Sequence, residues 1–374
     1  MRTEHIYIHF PFCISKCPYC DFFSVPLNDK NIHRKYIDAL LKEIDIYRPY
    51  IADKIRTVYI GGGTPSLISL PDINRILSCF NTDHDSEITI EVNPATADPD
   101  KLKFFFDSGI NRLSIGSQSF NNTELRTLGR AHSAEETFYT FGAARAAGFK
   151  NINLDLIIGI PGQTAASVIH NAYEVANLSP EHVSSYILTF YDETPYTEKL
   201  KKGILNKIED DIEIDFFDLN SEILGKYGLK RYEISNFSKE GYASKHNMNT
   251  WNFGNYLGLG ASAHSFINRS RLQNPASLEE YFHSVENMID LLKISKKVEI
   301  NSLKSEFVML GLRKTEGMNM VFYKEYFKSD VMNDFGKNMD YYLKNKILLI
   351  NDNHLRIRPD MLNIFNSIVS EIIF

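Results

Sequence analysis

A chain of 374 residues with 43% apolar and 12% aromatic content is too long for one minimal domain and has an ordinary globular composition, so one large and one smaller domain are expected. Its net charge of −6, from 41 basic and 47 acidic residues, excludes a broad cationic field for a phosphate backbone, and nucleic acid is not expected as a partner. No run of about 18 uncharged apolar residues occurs, and "MRTEHIYIHF" has no basic segment leading into an apolar core, so a soluble, cytoplasmic protein is expected.

In chain order, the first strand candidate is "HIYIHF" (5–10), and "PFCISKCPYCDFFS" (11–24) follows at once with Cys13, Cys17 and Cys20. Three clustered thiols are an odd number and Cys79 lies far away, so a disulfide framework explains them poorly and a soft metal or an iron–sulfur cluster explains them better. Structural zinc usually takes two separated cysteine pairs. Here His9 is the one nearby candidate for a fourth zinc ligand. Cys79, in a helical pattern at "ILSCF", reads as a buried core residue.

Five further strand candidates follow, at 57–62, 87–92, 111–117, 152–158 and 183–190, alternating with helix candidates at 31–47, 70–80, 98–109, 133–148 and 164–178. Asp98 before Pro99, the Ser133/Glu136 capping box, and Gly109 and Gly148 as stops mark several helix ends. Six strand–helix rounds predict parallel strands with right-handed crossovers, an open or closed α/β sheet whose site lies at the strand C-terminal ends. The cysteines and the run Gly61, Gly62, Gly63 both fall directly after strands. The glycine run is either a tight turn or a place where main chain approaches a ligand, with Thr64 beside it. Glu91, at the end of the third strand, is placed to accept from an ammonium or a ribose hydroxyl.

Beyond 209 the pattern loosens to a helix (209–228), a strand "KRYEIS" (230–235), an irregular stretch (245–266), a helix (277–293) and a linker "KKVEIN". The last 75 or so residues read as three helices, a hairpin "KILLINDNHLRIRP" and a final helix, a small α+β domain of winged-helix type. The expected division is 1–200, 201–298 and 299–374.

C-x3-C-x2-C after the first strand, with Tyr19 before the last cysteine, resembles the signature of the radical SAM superfamily. "YIHFPFC" and "GGGTPS" narrow the likeness to the oxygen-independent coproporphyrinogen III oxidase-like family. It continues through "EVNP", "RLSIGSQSF", "LGRAHS", "NLDLIIGIPGQT", "HNMNTW", "YLGLGASAHSF" and "EFVMLGLRKTEG", nearly the whole chain. The resemblance implies a partial (β/α)6 barrel with a C-terminal accessory domain. It implies a [4Fe-4S] cluster on Cys13, Cys17 and Cys20, and S-adenosylmethionine (SAM) on the open iron. It places Tyr7, Tyr19, Gly62, Gly63, Thr64, Glu91, Gln118, Arg130 and Asp155 around SAM. Its chemistry is reductive cleavage of SAM to a 5′-deoxyadenosyl radical, fed by a donor of flavodoxin or ferredoxin type.

Within this family the resemblance sets two functions apart. The coproporphyrinogen dehydrogenases carry a further cysteine two residues after the third and an extra N-terminal segment. Here Phe22 holds that position and the chain starts almost at its first strand, which is the form of the haem-chaperone group. "HNMNTW" resembles that group's HNxxYW motif, with Thr250 in place of the tyrosine. His246 and Trp251 are therefore the candidates for contact with haem b, and His264 a weaker one. The implied partners are haem, SAM and an unidentified haem acceptor, with peripheral contact to membrane haemoproteins.

Overall fold

The computed structural model describes residues 2–374. Six strands form the centre of one sheet: β1 (His5–Phe10), β2 (Thr57–Gly62), β3 (Glu87–Val92), β4 (Arg112–Gln118), β5 (Ile152–Ile158) and β6 (His182–Ile187), in that spatial order and all parallel. Between them run α1 (Lys30–Ile46), α2 (Leu70–Leu77), α3 (Pro99–Asp107), α4 (Ala134–Ala147) and α5 (Ala165–Leu178). The predicted ends are realised. Asp98 accepts from Lys101 N–H at 2.8 Å, Ser133 and Glu136 close their box, and Gly148 ends α4 at φ 113°.

One side chain in two on each strand faces the helices, and these positions are aliphatic or Phe: Ile6, Ile8 and Phe10, Val58 and Ile60, Ile88 and Ile90, Leu113 and Ile115, Leu154 and Leu156 are almost wholly buried. The alternate positions face the barrel lumen and are mostly polar. His5, Tyr7 and His9 follow one another on β1, Thr57 and Tyr59 on β2, Glu87, Thr89 and Glu91 on β3, Arg112 and Ser114 on β4, Asn153 and Asp155 on β5, and His182, Ser184 and Tyr186 on β6. A packed barrel fills its interior with layers of branched apolar residues. This one keeps a hydrogen-bonding lumen.

Residues after 209 extend the sheet at both edges. Following α6 (Asp210–Lys226), β7 (Lys230–Arg231) and β8 (Asn236–Ser238) add antiparallel strands beyond β6. The strand expected over 230–235 is thus only its first two residues, and the pairing passes to 236–238. The stretch expected to be irregular holds α7 (Lys245–Trp251) and β9 (Leu257–Leu259), the latter running parallel to β1 with Ile6 opposite Leu257. The helix expected over 277–293 is two, breaking after Glu286. Cys79 is half-buried against the barrel core rather than inside it, its thiol donating to Arg75 C=O at 3.4 Å.

The C-terminal region has its own core around Leu303, Phe307, Tyr323, Met339, Leu355 and Ile368. It contains the expected three helices, a three-stranded sheet built on the hairpin Leu348–Asn351/His354–Ile357, and the final helix Phe365–Ile373. Arg313 joins it to the barrel side through fully buried Glu233 at 3.2 Å, and Arg231 reaches Asn363 at 2.7 Å. No helix among the described residues is long and apolar enough to cross a membrane.

Candidate cluster and cofactor site

The C-terminal ends of β1 to β6 surround an open cavity of about 390 Å³. Cys13, Cys17 and Cys20 line it, together with Tyr19, Gly62, Gly63, Thr64, Glu91, Gln118, Arg130 and Asp155. Tyr7 sits one layer lower and acts through His9. His9 Nε2–H donates to Phe23 C=O at 2.8 Å, leaving Nδ1 to accept from Tyr7 O–H at 3.0 Å. Both ring nitrogens are therefore engaged, and His9 is not poised as a fourth metal ligand.

The cysteine loop is held from two sides. Gly63 N–H donates to Phe10 C=O at 2.7 Å and Thr64 N–H to Phe12 C=O at 2.8 Å, pinning the glycine turn to the chain that enters the loop. This contact explains the glycines. A Cβ on Gly63 would lie 2.7 Å from Phe12 O and 2.9 Å from Cys13 Sγ, and Gly62 has φ +119°. The turn's amide hydrogens at 63 and 64 are engaged with Phe10 and Phe12, so a cationic ligand would meet its carbonyl oxygens instead.

From the other side Arg130 Nη1 lies 3.5 Å from Cys17 Sγ while its Nη2 donates to Gly116 C=O at 3.2 Å. Burial pushes the Cys20 thiol up to about 11, so nothing but a metal or cluster would draw off that proton at neutral pH. The three sulfurs are not drawn to within 4.8 Å of one another. One zinc ion with Zn–S bonds of about 2.3 Å could not span them as they stand.

The other wall is acidic. Glu91 accepts from Tyr59 O–H at 3.0 Å and Gly62 N–H at 3.1 Å, and burial and neighbouring Asp155 push its carboxyl up to about 7. Asp155 is raised by burial, which hydrogen bonds from Asn153 at 2.7 Å and from Ser114 at 3.3 Å oppose. Gln118 closes this wall in a left-handed conformation, φ 64°, where the register between β4 and β5 slips. A non-glycine residue held there at the end of a strand is the kind of strain found beside binding sites. Two half-buried carboxylates on the wall of a cavity that three thiols also line suit a cationic ligand.

The haem candidates lie elsewhere. His246 is 7% exposed and sits at the N-terminal ends of β2 and β3, with its Nδ1 2.8 Å from Thr57 Oγ1 and its ring 5.3 Å from that of Tyr59. Thr57 Oγ1 also meets His5 Nδ1 at 3.0 Å. Trp251 is half-buried against the C-terminal core, with Arg313 stacked 4.3 Å from its ring centroid. Thr250 is half-buried in the same helix, and His264 is exposed at the start of a hairpin. None of the four lines the cysteine cavity.

Comparison with known proteins agrees with this arrangement. The radical SAM superfamily matches residues 7–172 and the HemN C-terminal domain matches residues 303–359. The chain is 33% identical over 353 residues to the heme chaperone HemW of Lactococcus lactis, covering 93% of this chain and 91% of that protein. It belongs to the HemW family. The HemW of Escherichia coli is 37% identical over 267 residues, 70% of each chain. The fold of this HemW-family chain is also that of the Escherichia coli coproporphyrinogen III oxidase HemN. The TM-score is 0.83 over 99% of this chain and 91% of that one, at 22% identity.

Several lumen residues of this HemW-family chain escape a motif-by-motif reading. Tyr59, Ser114, Asn153 and Tyr186 support or line the carboxylate wall. The available signal was alternation: "EITIEV" and "RLSIGSQ" carry polar residues at every second position inside strands that helices cover. A polar residue at an inward position of a parallel strand has nowhere to go but a wet or ligand-filled lumen.

Proposed function

We propose that this protein is a haem chaperone that binds haem and passes it to an acceptor protein, and that it carries a [4Fe-4S] cluster on Cys13, Cys17 and Cys20 with exchangeable SAM. The observation that carries the choice is Phe22. It is 60% exposed on the rim of the cysteine cavity, at the position where the resemblance puts the dehydrogenases' additional thiol. A phenyl ring there cannot ligate or hand on an electron pair. Tyr191 (45%) is also exposed on the same cavity. Relatives named heme chaperones align over as much as 353 residues, 93% of this chain, which supports the same reading.

Bound together, the cluster and SAM supply one-electron chemistry at a sulfonium. The chain's own residues hold that pair. Arg130 lies beside Cys17, Glu91 and Asp155 receive cationic and hydroxyl groups, and Gln118 and Tyr19 close the sides of the cavity. The acceptor of haem is a protein, and an electron donor of flavodoxin or ferredoxin type would serve the cluster.

The test is one anaerobic assay of reconstituted protein that follows haem uptake by its Soret band, transfer to an apo-haemoprotein, 5′-deoxyadenosine and porphyrin products together. A stoichiometric Soret band and transfer without decarboxylated porphyrin are expected. Decarboxylation of coproporphyrinogen, or no haem uptake at all, would reject the chaperone reading.

A further inference from the structure

Ser114, Gly116 and Gln118 on β4 line the cavity, so strand alternation sends Arg112, two residues before Ser114, into the lumen beneath them. Arg112 is 2% exposed, the largest fully buried side chain in the protein. Its register partner on β3 is Thr89, also fully buried and inward. Arg112 Nε and Thr89 Oγ1 both lack a hydrogen-bond partner. A guanidinium in that condition is costly unless other charges compensate it through space.

Three inward carboxylates share the lumen. Glu87 is met by the start of α7, accepting from the N–H groups of Lys245 and His246 at 3.1 Å each and from Ser244 O–H at 3.4 Å. Glu91 and Asp155 receive neutral donors from Tyr59, Gly62, Asn153 and Ser114. Arg130 lies at the cavity mouth and is occupied with Cys17.

We propose that Arg112 is a positioning residue of the SAM site, biasing Glu91 and Asp155 toward their anionic forms from beneath so that they can receive the cationic cofactor. The inference rests on the reading that SAM binds at these carboxylates. Burial favours protonation of both carboxyls, neighbouring Asp155 adds to it at Glu91, and the charge of Arg112 opposes it at both. Tyr7, Tyr59 and Tyr186 face the same pair from β1, β2 and β6, and burial pushes all three phenols up, so they stay neutral. Ser184 faces Asp155 as a further neutral donor. No other cation among these neighbours lies under the pair.

The experiment measures SAM dissociation constants from pH 6 to 9 on cluster-reconstituted full-length protein, wild type beside Arg112→Gln and Arg112→Lys, with iron content and cluster absorbance recorded for each. Wild type is expected to lose affinity on the acid side as the carboxylates protonate. Arg112→Gln should move that limb upward by on the order of one pH unit, about tenfold weaker binding on the limb, and converge with wild type at the alkaline end. Arg112→Lys should overlay wild type. A wild-type pH profile in Arg112→Gln, or an equal loss at every pH, would overturn the proposal. If Arg112→Gln does not fold, Arg112→Lys decides: a wild-type profile supports a role of charge, and a pH-independent loss overturns it. Failure of both variants to fold also overturns it, since the residue then serves the fold. Wild-type protein with an intact cluster and no SAM binding at any pH rejects the cofactor reading itself, a result the variants alone cannot produce.

Discussion

The two ends of the barrel are built from the same six strands and titrate in opposite directions. At the open end, burial pushes Glu91 up to about 7, with neighbouring Asp155 adding to it, and burial also raises Asp155. At the closed end, His246 is driven down to about 3 and His5 to about 4, with burial the main cause, and His182 falls in the same direction. Burial disfavours the charged form at both ends, so the carboxyls rise at one and the histidines fall at the other. The difference lies in what each polar group faces. The floor groups pair with one another, as in His5, Thr57 and His246 or Asn153, His182 and Tyr232. The upper groups turn toward a cavity. Polar residues that satisfy each other hold a fold together, and polar residues aimed at space await a ligand.

The largest effect should come from the open end. Replacing Cys13, Cys17 or Cys20 singly by Ala is expected to abolish the reconstituted cluster, read as loss of charge-transfer absorbance and of bound iron. The same change at Cys79 should leave both intact, since its thiol donates to Arg75 C=O outside the cavity. Full cluster content in Cys17→Ala would break the contrast between the ends at its root.

The strands that build both ends were legible because each carries a run of branched residues under a helix. The structure places β2, β3 and β5 at the predicted residues and β4 one residue later. The capping box at Ser133 was equally visible, being a local pattern with a local outcome. β9 was not legible. It is three residues long, and its strand character comes from Ile6, Tyr7 and Ile8 about 250 positions away, which no local periodicity reports. In the site, the cysteines and the glycine turn could be read from spacing. Arg112 could not be read from a motif, because its importance lies in being the inward partner of Thr89 below two carboxylates. The motif at 246–251 was visible, but that α7 lies under the strand N-terminal ends depends on Glu87 receiving its first amides.

A second test uses the opposite titration directly. His246 has a folded value near 3, below its ordinary 6.5, so its contribution to stability is present above pH 6.5 and is lost as pH falls toward 3. Glu91 has a folded value near 7, above its ordinary 4.5, so its contribution is present below pH 4.5 and is lost as pH rises through 7. His246→Phe is expected to flatten the acid limb of a melting-temperature profile while costing on the order of 1–3 kcal/mol at neutral pH for the lost bond to Thr57. Glu91→Gln should flatten the decline in stability between pH 4.5 and 7 and leave the acid limb alone. Parallel profiles for both variants would show that the two ends are not electrostatically distinct. If His246→Phe instead kept its melting profile and lost the Soret band, the residue would be a haem ligand and the floor would be no mere seal.

The smallest effect separates packing from polarity at Trp251. Its ring stacks under Arg313 at 4.3 Å and packs on the C-terminal core, yet its indole N–H is buried with no acceptor. Removing that N–H while keeping a ring removes an unpaired donor along with some contact area, two changes of opposite sign. Trp251→Phe is therefore expected to shift stability by no more than about 0.5 kcal/mol. Trp251→Ala, which deletes the stacking surface and leaves Arg313 beside a void, should cost about 3 kcal/mol. Denaturant midpoints of the two variants measure the difference. Haem uptake unchanged in Trp251→Phe at equal stability places the residue with the self-satisfied end of the molecule. A selective loss of haem there would move the boundary between the two ends into the C-terminal interface, where Arg313 already ties that domain to Glu233.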